Sequence, residues 1–455
     1  MKILKIAIIF ILACSFMRLF AKGSKKVDFK KITWQYNLPI GKKLIYSVNE
    51  HSEYLKSESG RTGKMTVWVA KQNQDQSYRL LILGEMTPYR IRDKDERDDY
   101  PVELSYGICD LNLGGNYRVQ RGLTNLYFRD IFLSLPQDIK MAKAGWDSKE
   151  LEFGEFEHYK VREPHNQDTL LTILINRTSP LDVIYEIKNT GSIYFHTQDL
   201  LPVLRVNDYK CKNTVTTHTV ITLDSIVDFG ADGFNEFERE LDIYFEADSL
   251  YDGYIEKAEE KPEQATNLLL RAESTLIAVK QKITLSGLKQ IIEQWTAGFA
   301  SDSQYINETV RRRAAIIGKP ATAWEAEDFQ AKNHKLDDFK GKVLILDFWY
   351  KNCPWCIRSM PALKKIAENF KDAPVAVIGM NVDKKEDDAL FAIDKLHLGY
   401  LNLKAGDVSK KYGVKGYPTM FIIDPKGNFY DMHIGYSPDL YDKLVKTIES
   451  ALEKK

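Results

Sequence analysis

The chain has 455 residues, more than one ordinary hydrophobic core accommodates, so two or three domains are expected. Its composition, 44% hydrophobic and 28% charged, is that of a globular protein. The 64 basic and 64 acidic residues balance. This balance argues against a nucleic-acid partner, because proteins that bind nucleic acid usually carry a basic excess or a basic stripe.

The first 21 residues are typical of an export signal. Two lysines give a positive start, and the apolar run 6–17 is too short to span a bilayer. Cleavage after Ala21 would release a secreted chain. A lipoprotein signal with Cys14 as the lipid acceptor and an uncleaved anchor are the alternatives. We therefore expect a periplasmic or cell-envelope location.

The cysteines fit an exported chain, because disulfides persist outside the cytoplasm. Cys109 and Cys211 are far apart in the sequence. They could pair with each other, or both could be buried thiols, and the sequence leaves both possibilities open.

Residues 32–236 show a mostly two-residue period. Met65, Val67 and Val69 alternate with their neighbours, and residues 213–227 form a long Thr/Val alternation. Residues 181–195 predict two strands joined at Asn189-Thr190-Gly191. Such residues suit a pleated, half-buried surface. We predict a mainly antiparallel β domain of unknown function, built as a meander or a sandwich.

The period changes over residues 237–314. Apolar residues recur at helical spacing from Ala265 to Ile283 and again from Leu288 to Phe299. Pro262 suits the first turn of a helix. This part predicts a helical connector, which could form a hairpin.

Strand and helix patterns alternate over residues 315–455. The buried run 343–349 is followed by a helical pattern, and two further strand patterns flank the turn 425–428. Such alternation predicts an α/β domain, with a central sheet and helices on both faces.

Two cysteines lie between a buried strand and a helix, in "DFWYKNCPWCIRSMP" (347–361). A zinc site would need a second ligand pair, and covalent haem would need histidine where Ile357 stands. A structural disulfide across so small a loop would stabilise little. A helix N-terminus instead favours a thiolate. We therefore expect Cys353 to be the accessible nucleophile and Cys356 the shielded partner that resolves a mixed disulfide.

The segments "HKLDDFKGKVLILDFWYKNCPWC" and "YGVKGYPTMFIIDPKGNFYDMHIG" resemble the thioredoxin-fold domain of TlpA/ResA-like thiol–disulfide oxidoreductases. The resemblance covers about the last 140 residues. It implies a helix proline at Pro361, a cis-proline at Pro418 facing the dithiol, a buried acid at Asp347, and a glycine after the last hairpin at Gly435.

The chain also departs from this family. Asn352 stands where tryptophan usually precedes the first cysteine, and Ser359 where an acid is common. The lysine that partners the buried acid in thioredoxins falls at Gly379. The pair between the cysteines is Pro354-Trp355, so the direction of electron flow stays open.

The resemblance implies an exported thiol–disulfide oxidoreductase that acts on protein cysteines. In this interpretation Cys353 attacks, Cys356 resolves, Asp347 moves a proton and Pro418 holds the partner strand. No metal, flavin or nicotinamide cofactor is expected, since the dithiol itself carries two electrons.

Three residues are predicted to contact the partner: Trp355 in the redox loop, and Tyr417 and Thr419 on either side of the proline. The expected partners are protein thiols and disulfides and a membrane or periplasmic electron donor. A peroxidase is a weaker reading, because "KNCPWC" lacks the Thr/Pro loop before a peroxidatic cysteine. An alternative from another functional class is a periplasmic binding or scaffold protein. In such a protein the β domain would carry the main role, and the thioredoxin-like module would be accessory.

Overall fold

The fold is taken from a computed structural model of the chain. It describes residues 28, 31–54, 57–91, 97–122, 126–148, 156–162, 170–212, 214–228, 231–260, 262–284, 286–437 and 439–453. The predicted export signal, including Cys14 and Ala21, lies outside these residues. None of the helices in the described ranges is long and apolar enough to cross a membrane.

The N-terminal part, called the β domain below, is one antiparallel sheet of twelve strands. The strands are β1 (Lys42–Tyr54), β2 (Ser57–Gln72), β3 (Tyr78–Ile91), β4 (Arg97–Asp99), β5 (Glu103–Leu111), β6 (Tyr117–Gly122), β7 (Trp146–Asp147), β8 (Phe156–Val161), β9 (Leu170–Thr178), β10 (Ile187–His196), β11 (Pro202–Cys211) and β12 (Val215–Asp228). Their order is β6-β5-β3-β2-β1-β12-β11-β10-β9-β8-β7, with β4 beside β3. The sheet is therefore a meander in which the first and last strands pair.

One face of this sheet covers a core of aliphatic and aromatic side chains. The inward positions of β1, which include Leu44 and Val48, are fully buried. Two short helices, α1 (Leu126–Ile131) and α2 (Ile139–Ala144), lie in the connection between β6 and β7. Phe128 of α1 belongs to the same core cluster, so this connection fills the space that the sheet encloses.

A short helix, α3 (Pro180–Tyr185), leads directly into β10. The sequence prediction of two strands joined at 189–191 is therefore wrong. Ser179 precedes the helix, and its N–H and hydroxyl both donate to the Asp182 carboxylate, at 2.9 Å each. This capping arrangement, with proline in the first turn, favours a helix start. Glu186, at φ 49°, ends the helix, and β10 runs through Gly191 without a turn.

Four charged side chains lie together inside the β domain: Asp130, Glu157, Arg177 and Arg205. Arg177 Nη2 is 2.7 Å from both Asp130 Oδ1 and Glu157 Oε1. Arg205 Nη2 is 3.8 and 3.9 Å from the same two oxygens. Burial alone would raise the pKa of Glu157, but the two guanidinium groups hold that pKa below its usual value. The two positive and two negative charges thus compensate each other inside the domain.

Three helices follow the sheet: α4 (Ala231–Glu260), α5 (Ala265–Lys282) and α6 (Ser286–Ile316). They begin somewhat before the predicted residue 237. Trp68 and Leu81 on the second face of the sheet pack against Leu241 of α4 and Ile292 of α6. The far end of α6 contacts the C-terminal part, where Arg313 lies 2.9 Å from Asp431. The helices therefore contact the sheet of the β domain, and α6 also contacts the C-terminal part.

The C-terminal part has seven strands and four helices in the described ranges. These are β13 (Glu325–Glu327), β14 (Asn333–Lys335), β15 (Val343–Trp349), α7 (Pro354–Asn369), β16 (Val375–Asn381), α8 (Glu386–Leu396), β17 (Leu401–Lys404), α9 (Gly406–Lys411), β18 (Thr419–Ile423), β19 (Phe429–Ile434) and α10 (Leu440–Glu453). The five-stranded sheet has the order β17-β16-β15-β18-β19. Its first three strands are parallel to one another, while β18 is antiparallel to both of its neighbours, β15 and β19.

The central strand β15 is buried along its whole length, because helices cover both faces of the sheet. Ile345 packs in one core with Leu363 of α7 and Leu444 of α10. Phe348 points to the other core, which contains Tyr412. The thioredoxin-like α/β arrangement expected from the sequence is confirmed.

Candidate active site

The two cysteines predicted to be redox-active lie where the central strand passes into α7. Cys353 is the N-cap of the helix, and its Sγ accepts a hydrogen bond from the Cys356 N–H at 3.1 Å. Pro354 takes the first helical position, where a missing N–H costs nothing. The cysteine sulfur therefore faces the positive end of the helix, which favours a thiolate once the disulfide is reduced.

Cys353 and Cys356 form a disulfide, with Cα atoms 5.2 Å apart. Both sulfurs lie in an apolar cluster with Trp349, Ile357 and residues of α8. Cys356 is fully buried, and only 3% of Cys353 is exposed. The sequence had suggested an accessible Cys353, whereas in this fold the nucleophile is nearly covered.

Lys351 ties the redox loop to the neighbouring β16–α8 connection. Its backbone N–H donates to Asp383 Oδ2 at 2.9 Å, and its Nζ donates to Asp388 Oδ1 at 2.6 Å. The pKa of Asp388 is lowered by this lysine. The sequence analysis missed these three residues, because their pairing depends on a contact between distant segments.

Asp347 is the buried acid of the site. It lies on β15 between Ile345 and Trp349, and the alternation of the strand directs all three side chains to the face covered by α7. Neither carboxylate oxygen has a hydrogen-bond partner among the residues that the structure describes. Burial raises the pKa of Asp347 from 3.8 to about 8. The carboxyl group can therefore gain or lose a proton near neutral pH.

Gly379 lies directly opposite Asp347 in the paired strand β16. A side chain at Gly379 would collide with the Asn402 carboxamide, whose oxygen accepts a hydrogen bond from Trp349 Nε1 at 3.2 Å. The position that holds lysine in thioredoxins is thus closed here by the pair formed by Trp349 and Asn402. Burial raises the pKa of Tyr400, and the nearby charge of Asp347 raises it further.

The predicted partner-binding turn lies beside the dithiol. The peptide bond between Tyr417 and Pro418 is cis. Tyr417 packs edge-on against Tyr350, with ring centroids 5.3 Å apart, and belongs to the same apolar cluster as Cys353. The Thr419 side chain is buried and donates to the Gly416 carbonyl at 2.7 Å. Tyr417 is therefore the residue of this turn that the fold brings to the site, while the Thr419 side chain points inward.

Trp355 lies on the outer side of the site, with 48% of its surface exposed. Its ring stacks at 6.3 Å on Tyr436, and the Arg358 guanidinium lies 4.8 Å from the ring centroid. An exposed aromatic ring held by two neighbours is suited to contact a partner.

The β domain reaches this site through α3, which contacts both α7 and α8. Leu181, Ile184 and Tyr185 of α3 join the apolar cluster around the disulfide. The Tyr185 hydroxyl donates to the Lys351 carbonyl at 3.3 Å. The capping pattern of Ser179 and Asp182 is the sequence signal that could have revealed this helix, although not the place where it docks.

The other described cysteines are not paired with each other. Cys109 is a buried thiol on β5, and Cys211 is a partly buried thiol at the end of β11. The Cys211 S–H donates to the Tyr185 carbonyl at 3.2 Å.

Ser359, where the family often has an acid, is buried and donates to the Cys356 carbonyl at 2.8 Å. Within the described ranges, no group of three or more His, Cys, Asp or Glu side chains is arranged to hold a metal ion.

Comparison with known proteins gives consistent relatives for this part of the chain. A model of the AhpC/TSA family matches residues 317–432. Thiol-disulfide oxidoreductase ResA of Halalkalibacterium halodurans is 29% identical over 133 residues, which are 29% of this chain and 76% of that protein. Thioredoxin-like protein YneN of Bacillus subtilis is 31% identical over 121 residues, which are 26% of this chain and 71% of that protein.

A solved structure, the thioredoxin domain of a thiol-disulfide oxidoreductase from Bacteroides vulgatus, is similar at 29% identity and a TM-score of 0.28. That match covers 29% of this chain and 97% of the solved chain. The residues matched by the family model include the strand, the two cysteines and the cis-proline turn described above. The C-terminal part of the chain therefore belongs to the thioredoxin-like proteins and is similar to the ResA thiol–disulfide oxidoreductases, and the protein is an oxidoreductase.

Proposed function

We propose that the protein is exported and exchanges disulfides with the cysteines of client proteins through Cys353 and Cys356. The observation that carries this proposal is the position of Cys353 at the N-cap of α7, where its sulfur accepts the Cys356 N–H at 3.1 Å. A thiolate is stabilised at such a position. The export signal predicted at residues 1–21 supports a periplasmic or cell-envelope location.

The exchange proceeds in two balanced steps. In the reducing direction, the Cys353 thiolate attacks one sulfur of a client disulfide, forms a mixed disulfide and releases the other client thiolate. Cys356 then attacks Cys353 Sγ, which releases the second client thiol and leaves the Cys353–Cys356 disulfide seen in the structure. The client gains two electrons and the dithiol loses two. A thiol donor must then reduce the disulfide, and a membrane or periplasmic dithiol protein is the expected class.

The ionised form of Asp347, which is the minor form below pH 8, is proposed to take the proton from Cys356 before the second step. Its pKa of about 8 lies close to that of an ordinary thiol, which is the condition for efficient proton transfer. Its side chain points to the face of β15 that α7 covers. No metal or organic cofactor is needed for these steps, since the sulfurs carry the electrons.

A client segment is proposed to lie beside Tyr417 and Pro418, with Trp355 as a second contact. Tyr417 lies in the same apolar cluster as Cys353. Trp355 has an exposed ring and lies in the first turn of α7, the helix that Cys353 caps. The Thr419 side chain points into the sheet, so any contribution of Thr419 to a client would come from its backbone.

We expect Cys356→Ser to accumulate mixed disulfides with client proteins, because the resolving sulfur is absent while Cys353 still attacks. The measurement is non-reducing electrophoresis of the full chain from the cell envelope, followed by identification of the bound proteins. Cys353→Ser is the matched control, and it should trap nothing.

Two results would count against this proposal. One is equal trapping by Cys353→Ser and Cys356→Ser, and the other is no trapping by either variant. A redox titration of the full chain against glutathione then gives the direction of electron flow, because a low potential marks a reductant and a high one an oxidant.

One observation bears on the alternative function, that of a binding protein. A cavity of about 490 Å³ opens in the β domain, lined in part by Glu50, Arg61, Tyr127 and Arg177. These groups already bind one another or their neighbours: Tyr127 donates to Glu50 at 2.9 Å, and Arg177 pairs with Asp130 at 2.7 Å. Mutual pairing accounts for the charged lining without a ligand, so the oxidoreductase remains the favoured function.

A further inference from the structure

The disulfide lies beneath a helix that belongs to the other domain. Leu181, Ile184 and Tyr185 of α3 pack in the same apolar cluster as Cys353 and Cys356, and Ile184 itself is buried. Tyr185 also donates to the carbonyl of Lys351, two residues before the nucleophile. The β domain thus covers the face on which the dithiol opens.

This cover conflicts with the chemistry of the site. In thiol–disulfide exchange, the attacking sulfur must reach the target sulfur directly, so the reaction depends on access as well as on pKa. Only 3% of Cys353 is exposed in this arrangement, so a client sulfur cannot reach it without a change in the residues around it. Among the elements of that apolar cluster, α3 is the one that does not belong to the thioredoxin-like domain.

The helix is anchored on the side of the β domain. The Cys211 S–H donates to the Tyr185 carbonyl at 3.2 Å, and Lys212 Nζ lies 2.8 Å from the Glu186 carboxylate. Asp182 holds the other end of the helix through Ser179. Its contact with the redox domain is mainly apolar, apart from the hydrogen bond of the Tyr185 hydroxyl. The polar contacts that fix the helix therefore lie mostly on the side of the β domain.

We propose that α3 is an intramolecular occupant of the client-binding face, which a client polypeptide with an apolar residue beside its cysteine displaces. This inference rests on the proposed exchange with protein cysteines and names the class of client. The residues that α3 contacts define what a client must offer. They are apolar or aromatic, and Ile184 shows that a branched aliphatic side chain fits among them.

The first test measures access to the disulfide in the full-length oxidised protein. The rate at which dithiothreitol reduces the Cys353–Cys356 disulfide is followed by acid quenching and mass spectrometry. Ile184→Asp should increase this rate about tenfold or more, because a carboxylate cannot stay in the apolar contact. The matched control is Leu174→Asp, which also replaces an aliphatic residue with aspartate but at a position of β9 that is 41% exposed, and it should leave the rate unchanged.

Amide hydrogen exchange in β9 and β10 checks that the variant remains folded. Should Ile184→Asp unfold the β domain, Ile184→Ala and Tyr185→Phe decide the question, since both only weaken the contact. Faster reduction in these variants supports the inference. Reduction at the wild-type rate in a folded Ile184→Asp or in Ile184→Ala overturns it.

The second test concerns the client. Two disulfide-linked model peptides are compared that differ only in the residue beside the cysteine, leucine or serine. The reduced wild-type protein should turn over the leucine peptide faster, by about tenfold. Equal rates would overturn the assignment of an apolar client. Failure of Cys356→Ser to trap any protein would defeat the proposed function, yet the dithiothreitol rates would still report whether α3 covers the disulfide.

Discussion

Asp347→Asn is expected to make the folded protein more stable than the wild type at pH 8, by up to about 5 kcal/mol, and no more stable at pH 4. Burial raises the pKa of Asp347 from 3.8 to about 8. Each tenfold change in a protonation equilibrium corresponds to about 1.4 kcal/mol. Asparagine cannot ionise, so the variant avoids the cost of keeping a carboxyl group protonated at a pH above its usual pKa.

The direction of this effect follows from proton binding. Between pH 4 and 8 the folded state keeps the Asp347 proton while the unfolded chain loses it, so wild-type stability falls as the pH rises through this range. The measurement is urea denaturation of the oxidised protein at several pH values, with hydrogen exchange of β15 and β18 as the local probe.

Asp407→Asn is the control for the pH dependence of stability. Asp407 is exposed on α9, and the hydrogen bond from Lys410 lowers its pKa, so its carboxylate stays ionised in both states from pH 5 to 8. This variant should follow the wild-type pH dependence in that range. Parallel curves for wild type and Asp347→Asn would show that Asp347 is ionised in the fold, contrary to its burial.

Asp347→Asn also has a kinetic consequence, separate from its effect on stability. If Asp347 takes the Cys356 proton, the rate of mixed-disulfide resolution in the wild type should change near pH 8, and Asp347→Asn should lose this inflection. A variant that is stabilised yet keeps the wild-type pH profile would restrict Asp347 to an electrostatic role. The two readouts thus separate the stability effect from proton transfer.

The positions of the candidate site residues could be predicted from the sequence because these residues are close along the chain. A buried strand, a tight turn and a helix beginning at Pro354 place Cys353 at the helix end through local geometry alone. Asp347 follows from the same strand, six residues before the first cysteine. The alternating pattern likewise indicated the antiparallel β domain, since the strands of a meander pair with their neighbours in sequence.

The environment of the centre could not be predicted, because it depends on contacts between distant segments. The pairing of Lys351 with Asp388 and the cover formed by Ile184 join residues that no local pattern connects. The run around 181–195 is rich in β-branched and aromatic residues, which favoured strands. The Ser179 cap and the proline after it outweighed that propensity over six residues.

The absent lysine shows how the structure can explain a departure from a family. The sequence showed Gly379 in its place and left the partner of Asp347 open. The fold gives a steric reason, since Asn402 and Trp349 occupy the space beside Gly379. Among the residues that the structure describes, burial is the only cause of the raised pKa of Asp347.

The second large effect is expected in the β domain, where Arg205→Met should lower the free energy of unfolding by about 3–5 kcal/mol at pH 7. Arg205 is fully buried, and methionine of similar length keeps most of the packing. The substitution leaves Asp130 and Glu157 to share Arg177 alone. Arg239→Met is the control, because Arg239 is 67% exposed and its pair with Glu236 at 3.9 Å contributes about 1 kcal/mol or less.

The pH dependence of this loss distinguishes lost charge compensation from lost packing. In the wild type the pKa of Glu157 is held below its usual value, so the stability that this pairing provides is present above that usual value and lost as the pH falls through the folded pKa. In Arg205→Met an excess carboxylate can take up a proton instead. The difference between the two proteins should therefore shrink from pH 7 to pH 4, as measured by hydrogen exchange of β9 and β11. A difference that stays constant with pH would mean that Arg205 acts by filling space, and that the buried cluster does not depend on its charge.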